Sequence, residues 1–268
     1  GIFVVRVWPF VCYPPAPSTM SSDSPDPSSD SALIAPVELQ ALRRVYDYFC
    51  NLSEKLKITE KLDPAKARLA LLRSPEMADE DEVVLQMEIN SLSCDIESWS
   101  HSLSEIERRP NQVIRPSDVA AALKKLGKKT SKREVLEMIW EVDENLDEVI
   151  DWDEFCLNFQ RNIHDKSGLE PANFYNLVQF MIYDANSNGM VSIDETMKML
   201  YARYGRELME EKISYLFGGM SGGAVTEEGR EGGEINYATY VEAVEKTQMK
   251  MFHESELGRT ILAKGKRK

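Results

Sequence analysis

Residues Asp184–Glu195 read DANSNGMVSIDE, and the spacing of oxygen-bearing groups in that dozen decides the fold. Asp184, Asn186 and Asn188 stand at loop positions 1, 3 and 5; Met190 offers its backbone carbonyl at 7, Ser192 stands at 9 and Glu195 closes at 12. A calcium ion takes about six to eight oxygen ligands, and this spacing wraps a short loop around one, with Glu195 supplying both carboxylate oxygens. Gly189 at position 6 suits the sharp turn there, which needs a positive φ. Val191 at position 8 is β-branched and suits a short two-stranded pairing with a neighbouring loop. Surface turns rich in Asp, Asn and Gly imitate part of this pattern, but not the closing Glu as well.

The unit is helix–loop–helix and buries its apolar face by pairing with another. Its flanks comply: Phe174, Leu177, Val178, Met181 and Ile182 precede the loop at helical spacing, and Met197, Leu200 and Tyr201 follow it. Upstream, DENLDEVIDWDE (Asp143–Glu154) places Asp143, Asn145, Asp147, the Val149 carbonyl, Asp151 and Glu154 at the same ligand positions. Its flaw is Glu148 where Gly belongs, since holding Glu in the left-handed region costs on the order of 1 kcal/mol. Leu146 at position 4 is also unusual. The ligands are present and the hinge is poor, so calcium binding at this loop stands as an alternative to a purely structural role.

Two further units follow the same register. ERRPNQVIRPSD (Glu107–Asp118) has Ile114 at the pairing position and Asp118 at the closing one. Arg109 and Pro110 occupy positions 3 and 4, and position 6 lacks Gly, so no ion is expected there. GGEINYATYVEAV (Gly232–Val244) supplies the second half of a unit, with Gly233 at position 6 and Ile235 at 8. Thr239 replaces the closing Glu, Arg230 stands at position 3, and the glycine-rich stretch before it is longer than a compact unit needs. That unit is expected to be structural.

The order degenerate, marginal, intact, degenerate resembles the EF-hand proteins of the calmodulin superfamily. So does VIRPSDVAAALKKLGKKTSKREVLEMIWEVDEN (Val113–Asn145) between the first two hands. In that stretch Val119, Leu123 and Leu126 face one core, Gly127 ends a helix and Thr130 or Ser131 caps the next. The resemblance implies an all-α fold: two EF-hand pairs, or calmodulin-like lobes, preceded by an N-terminal helical extension. The expected organisation is a doubtful leader and disordered linker over 1–35, the extension over 36–90, the first pair over 91–162, the second over 168–250 and a basic tail over 251–268. FYNLVQFMIYDANSNGMVSIDETMKMLYARYGRE (Phe174–Glu207) is further similar to axonemal EF-hand proteins, such as the calmodulin-like subunits of outer dynein arm docking complexes. That narrower resemblance implies coiled-coil partners, tubulin or dynein-associated proteins, and a place in the axoneme of a cilium or flagellum.

Composition agrees. The 268 residues carry a net charge of −13 and a pI near 4.9, which suits a calcium binder and argues against nucleic acid as the main partner. Cys12, Cys50, Cys94 and Cys156 lack metal-type spacing and read as reduced cytosolic thiols. His101, His164 and His253 are scattered. No apolar run approaches the ~20 residues that span a bilayer. Nothing resembles a kinase glycine-rich loop, a nucleophile elbow or a catalytic dyad, so no enzyme is expected. The chain begins GIFVVRVWPFVCYPPAP without Met; Arg6 and Pro9 interrupt this apolar start, and Met20 is an alternative start before a flexible Ser/Asp/Pro linker.

Residues 36–106 hold the second clue. Val37–Leu56 reads as one amphipathic helix on Leu39, Leu42, Val45, Tyr46, Phe49 and Leu52. Another is expected near Pro64–Arg73, with Asp63 as cap and Pro64 in the first turn. A third covers Glu80–Glu107, where Val83, Leu85, Ile89, Leu92, Ile96, Trp99 and Leu103 form an apolar stripe. These helices either pack on the first lobe or present a docking surface. A free sensor does not need them, which tilts the reading toward a subunit of an assembly. The tail GRTILAKGKRK is either a solvated end or a dock for an acidic surface such as tubulin, and such contacts are salt-sensitive. The expected function is a non-catalytic calcium-binding subunit of a ciliary or axonemal microtubule-associated complex. The alternative is a free cytosolic calcium sensor that captures target helices. With Asp184 and Glu195 its only carboxylate ligands, the intact loop should bind calcium at micromolar strength or weaker, and magnesium can occupy it at rest.

Overall fold

The helical periodicities resolve into nine helices and one two-stranded ribbon among the described residues. The structure is a computed structural model and describes residues 34, 36–74, 82–165, 167–217, 233–254 and 259. The leader and linker, the glycine-rich stretch before β2 and almost all of the basic tail lie outside the described residues. In chain order the elements are α1 (Pro36–Phe49), α2 (Leu52–Leu72), α3 (Glu82–Glu107), α4 (Pro116–Lys125), α5 (Lys132–Trp140), α6 (Trp152–His164), α7 (Asn173–Tyr183), β1 (Met190–Ser192), α8 (Ile193–Phe217), β2 (Glu234–Asn236) and α9 (Tyr237–Glu254). The fold is all-α, and no helix among the described residues is long and apolar enough to cross a membrane.

Local chemistry sets the helix ends. Gly127 stops α4 at φ 76°, a conformation that costs glycine nothing. Ser131 then caps α5 by accepting from the Glu134 N–H, while the Glu134 carboxylate accepts from Ser131 N–H, a reciprocal capping box. The position-8 residues pair the loops. Ile114 and Ile150 exchange two backbone hydrogen bonds of 2.9 Å, and β1 pairs antiparallel with β2 with Val191 opposite Ile235. Gly205, at φ 67° and ψ −176°, is not helical and kinks α8 into two segments, the first leaving the third loop and the second leading toward the fourth.

Two helix assignments change. Val37–Leu56 does not form one helix, because Asn51 adopts φ 58° and breaks it. Its Oδ1 accepts from Arg109 and Arg115 at 3.3 and 3.0 Å, and its Nδ2 donates to Gln112 Oε1 at 2.8 Å. These partners in the first loop stabilise the elbow that joins α1 to α2. Pro64 does not start a helix either, since α2 runs through it. Pro64 is exposed, so the carbonyl that loses its N–H partner can turn to water. Burial departs from the expected stripes as well. Leu39 is 44% exposed while Ala41 takes the inner place on α1, and Tyr201 is 60% exposed while Leu200 faces the core.

The apolar face of α1 joins a core shared by α4, α5, α6 and α7. Tyr46 meets Trp152 and Phe155 edge-on at ring centroid distances of 5.2 and 5.3 Å; Phe155 meets Phe174 at 5.9 Å, and Phe49 meets Phe174 at 6.0 Å. Glu141 stitches the pairs together: at the end of α5 it accepts from Asn173 Nδ2 and Phe174 N–H at 2.6 and 3.0 Å, capping α7.

The described cysteines Cys50, Cys94 and Cys156 are free. Burial pushes Cys50 and Cys156 up to about 11, so both thiols stay protonated at neutral pH, while Cys94 is exposed. Among these three, Cys94 is expected to react first with a thiol-directed reagent, as peptide mapping after brief labelling at pH 7.5 would show. Faster labelling of Cys50 would mean that α1 does not stay packed.

Candidate metal centre

The third loop is built by its own backbone turning back on its side chains. Asp184 accepts from the N–H groups of Asn188 and Gly189 at 3.0 and 2.9 Å; Asn186 Oδ1 accepts from Asn188 N–H at 2.9 Å and Asn188 Oδ1 from Met190 N–H at 2.8 Å. Gly189 sits at φ 81° and Ser187 at φ 59°. Each oxygen retains a lone pair for a further partner. Glu195 Oε2 accepts from the Ser192 N–H and hydroxyl, both at 3.0 Å. Its Oε1 is buried and has no hydrogen-bond partner. A buried carboxylate oxygen without a donor is costly. Burial likewise pushes the Asp184 carboxyl above its ordinary range, the Gly189 and Asn188 N–H groups oppose that, and the Glu195 charge adds to it. Two desolvated carboxylates facing one loop are relieved by a divalent cation. The donors are all hard oxygens, which suits calcium.

The second loop repeats the backbone pattern but closes differently. Asp143 accepts from Asp147 and Glu148 N–H, Asn145 Oδ1 from Asp147 N–H, and Asp147 Oδ1 from Val149 N–H. Leu146 and Glu148 take φ 62° and 65°, so the turn forms with two strained side-chain-bearing residues. Glu154, however, turns both oxygens onto the loop: Oε1 accepts from Glu144 and Asn145 N–H, and Oε2 from Asp151 N–H. Among the described residues no three Asp, Glu, His or Cys side chains converge as a metal cluster, even with four carboxylates at the ligand positions of this loop.

The first loop holds protein where an ion would sit. Gln112 Nε2 donates to the carbonyls of Ile106, Glu107 and Arg109 at 3.2, 3.4 and 3.0 Å. Asp118, at the closing position, accepts from Ser53 N–H at 2.8 Å and Arg115 N–H at 3.0 Å, and so caps the start of α2. Sequence spacing identified Asp118 as the closing residue but gave no sign of its partner. In the fourth loop, Asn236 Oδ1 accepts from the Thr239 N–H and hydroxyl in place of a closing carboxylate.

Residues 112–162 match the family model of the EF-hand domain pair. That span covers the second half of the first hand and all of the second but the last two residues of α6. Calmodulin-like protein 6 of Oryza sativa subsp. japonica is 27% identical over 124 residues, which cover 44% of this chain and 68% of that protein. With the paired loops and the all-α fold, these similarities give the chain an EF-hand domain pair over residues 112–162 and a likeness to a calmodulin-like protein.

Proposed function

We propose that this chain is a non-catalytic calcium-binding subunit of a larger protein assembly, with the ion held at the third hand. Asp184, Asn186, Asn188, the Met190 carbonyl, Ser192 and Glu195 are its ligands. The observation that carries the site is the buried, unpartnered Oε1 of Glu195. The second hand, through Asp143, Asn145, Asp147, Val149, Asp151 and Glu154, is the weaker candidate, because its closing carboxylate already has backbone partners.

The assembly role is supported by α3. Within its length only Ile106 is buried, while Leu85, Ile89, Leu92, Ile96, Trp99 and Leu103 are half-buried against α2. These apolar residues recur at alternating spacings of four and three, the seam of a coiled coil. Glu82, Glu88, Asp95, Glu97, Glu105 and Glu107 give α3 an acidic surface without Lys or Arg, which fits a partner helix with basic flanks. The resemblance of Phe174–Glu207 to axonemal proteins supports a ciliary or flagellar, dynein-docking setting with microtubule-associated partners. A free sensor is the competing reading.

Calcium titration calorimetry on the full chain at physiological magnesium, beside Glu195→Gln and Glu154→Gln variants, tests the site. One event lost with Glu195→Gln supports it; binding that survives that change removes the assignment. Crosslinks from α3 to a coiled-coil protein, with and without calcium, support the subunit reading. A partner held only with calcium favours the sensor.

A further inference from the structure

α1 is bound like a ligand between the two EF-hand pairs. It lies against α4 and α6 on one side and α7 and α8 on the other. Leu42 and Phe49 are 0% exposed, Val45 1% and Tyr46 2%. Beside this stripe are two polar ties, and both reach the third hand. Glu38, 3% exposed, pairs with Arg203 of α8, Nε to Oε1 at 2.5 Å. Arg203 Nη1 also donates to Gln179 Oε1 at 3.0 Å and to Tyr175 Oη at 3.3 Å on α7. Arg44 donates to the carbonyls of Met181, Ile182 and Asp184 at 2.8, 3.1 and 3.3 Å. Those carbonyls are the negative end of α7, and the last belongs to loop position 1. α1 therefore clasps both arms of the hand whose loop best fits calcium.

We propose that the cleft between the EF-hand pairs is a helix-binding site filled in cis by α1, and that calcium at the third hand weakens the clasp and frees the cleft. The coupling rests on the calcium site proposed above. Two effects give its sign. Closing Glu195 around an ion reorients α8 relative to α7, as sensor hands do, and Arg203 bonds α7 and α1 at once, so these bonds do not all survive that motion. The ion also brings positive charge beside Asp184, whose carbonyl holds the Arg44 guanidinium, and like charges repel. Coupling is reciprocal: if calcium loosens α1, loosening α1 strengthens calcium binding. The cleft's ligand is defined by what α1 presents, an amphipathic helix with large apolar residues at spacings of three and four, an acidic residue one turn ahead for Arg203, and an arginine for the α7 terminus.

Hydrogen exchange on the full wild-type chain reads the first half of the proposal. Calcium is expected to speed exchange of the 36–49 amides roughly fivefold or more, with calorimetry on the same sample reporting the ion. Glu38→Gln is expected to bind calcium roughly fivefold or more tightly than wild type, and Arg44→Gln tests the second tie should Glu38→Gln not fold. A fluorescein-labelled synthetic peptide of residues 36–49 should bind Glu38→Gln only with calcium present. If calorimetry shows ion binding that is lost in Glu195→Gln, yet exchange over 36–49 is unchanged and neither variant gains affinity, the clasp proposal fails and the calcium site stands. If wild type and both variants give no ion binding, the site reading fails and the proposal falls with it.

Discussion

Glu195→Gln is expected to weaken calcium binding at the third hand by roughly a thousandfold. Removing a unit charge about 4 Å from a divalent ion forfeits on the order of 8 kcal/mol of attraction at an effective dielectric near 20; the amide oxygen still ligates and no carboxylate charge has to be kept desolvated, so roughly half of that remains as lost affinity, at about tenfold per 1.4 kcal/mol. The fold should hardly notice. Glu195 Oε2 accepts two bonds from Ser192 that an amide oxygen can accept equally, and Oε1 has no partner to lose. Urea unfolding of the ion-free variant should therefore stay within about 0.5 kcal/mol of wild type. Glu154→Gln is expected to behave in the opposite way. Both Glu154 oxygens accept backbone N–H groups, so one amide nitrogen must face donors, at about 1–3 kcal/mol of stability. A variant pair in which Glu154→Gln abolishes calcium binding and Glu195→Gln does not would reverse the ranking of the two hands.

That contrast was only half legible in the sequence. Ligand spacing ranks the loops because a calcium loop is local: a dozen consecutive residues determine which oxygens converge, and Gly189 lets the chain turn there without the strain that Glu148 carries in the second loop. For the same reason Gly127, Ser131 and the pairing residues Ile114, Val191 and Ile235 could be read in advance. The state of a closing carboxylate is not local in that sense. Glu154 and Glu195 occupy equivalent positions, yet one is saturated by N–H groups and the other keeps a bare oxygen.

What periodicity could not supply was where α1 goes. Val37–Leu56 contains neither Gly nor Pro, so its apolar repeat reads through Asn51 as one helix. The break comes from Arg109, Gln112 and Arg115 converging on Asn51 across roughly sixty residues. The same cations that disqualify the first loop as an ion site give it a second use as the socket for this elbow. Nor does any local pattern mark Glu38 as the partner of Arg203 or Arg44 as the cap of α7. Read alone, both are ordinary charged residues on a helix. Glu141, which caps α7 from the preceding hand, left no signal beyond its place near the end of α5.

Phe155→Ala is expected to cost about 3–5 kcal/mol, the usual range for deleting a buried aromatic side chain. Phe155 is 1% exposed and sits where three helices meet, against Tyr46 of α1, Trp152 of its own helix and Phe174 of α7. The cavity cannot collapse without moving α1 off one hand pair or α7 off the other, so relaxation should recover little of the loss. Leu157, two residues along and 42% exposed on the outer face of α6, serves as the control, and its alanine variant should fall within about 1 kcal/mol of wild type. The shape of the transition carries as much as its midpoint. If α1, Glu141 and the Phe155 cluster join the two hand pairs, urea unfolding followed by helical circular dichroism is a single transition in wild type. Phe155→Ala then either shifts it whole or splits it in two by uncoupling the pairs. Two well-separated transitions already present in wild type would mean that the pairs fold independently, and that the shared core contributes little to holding them together.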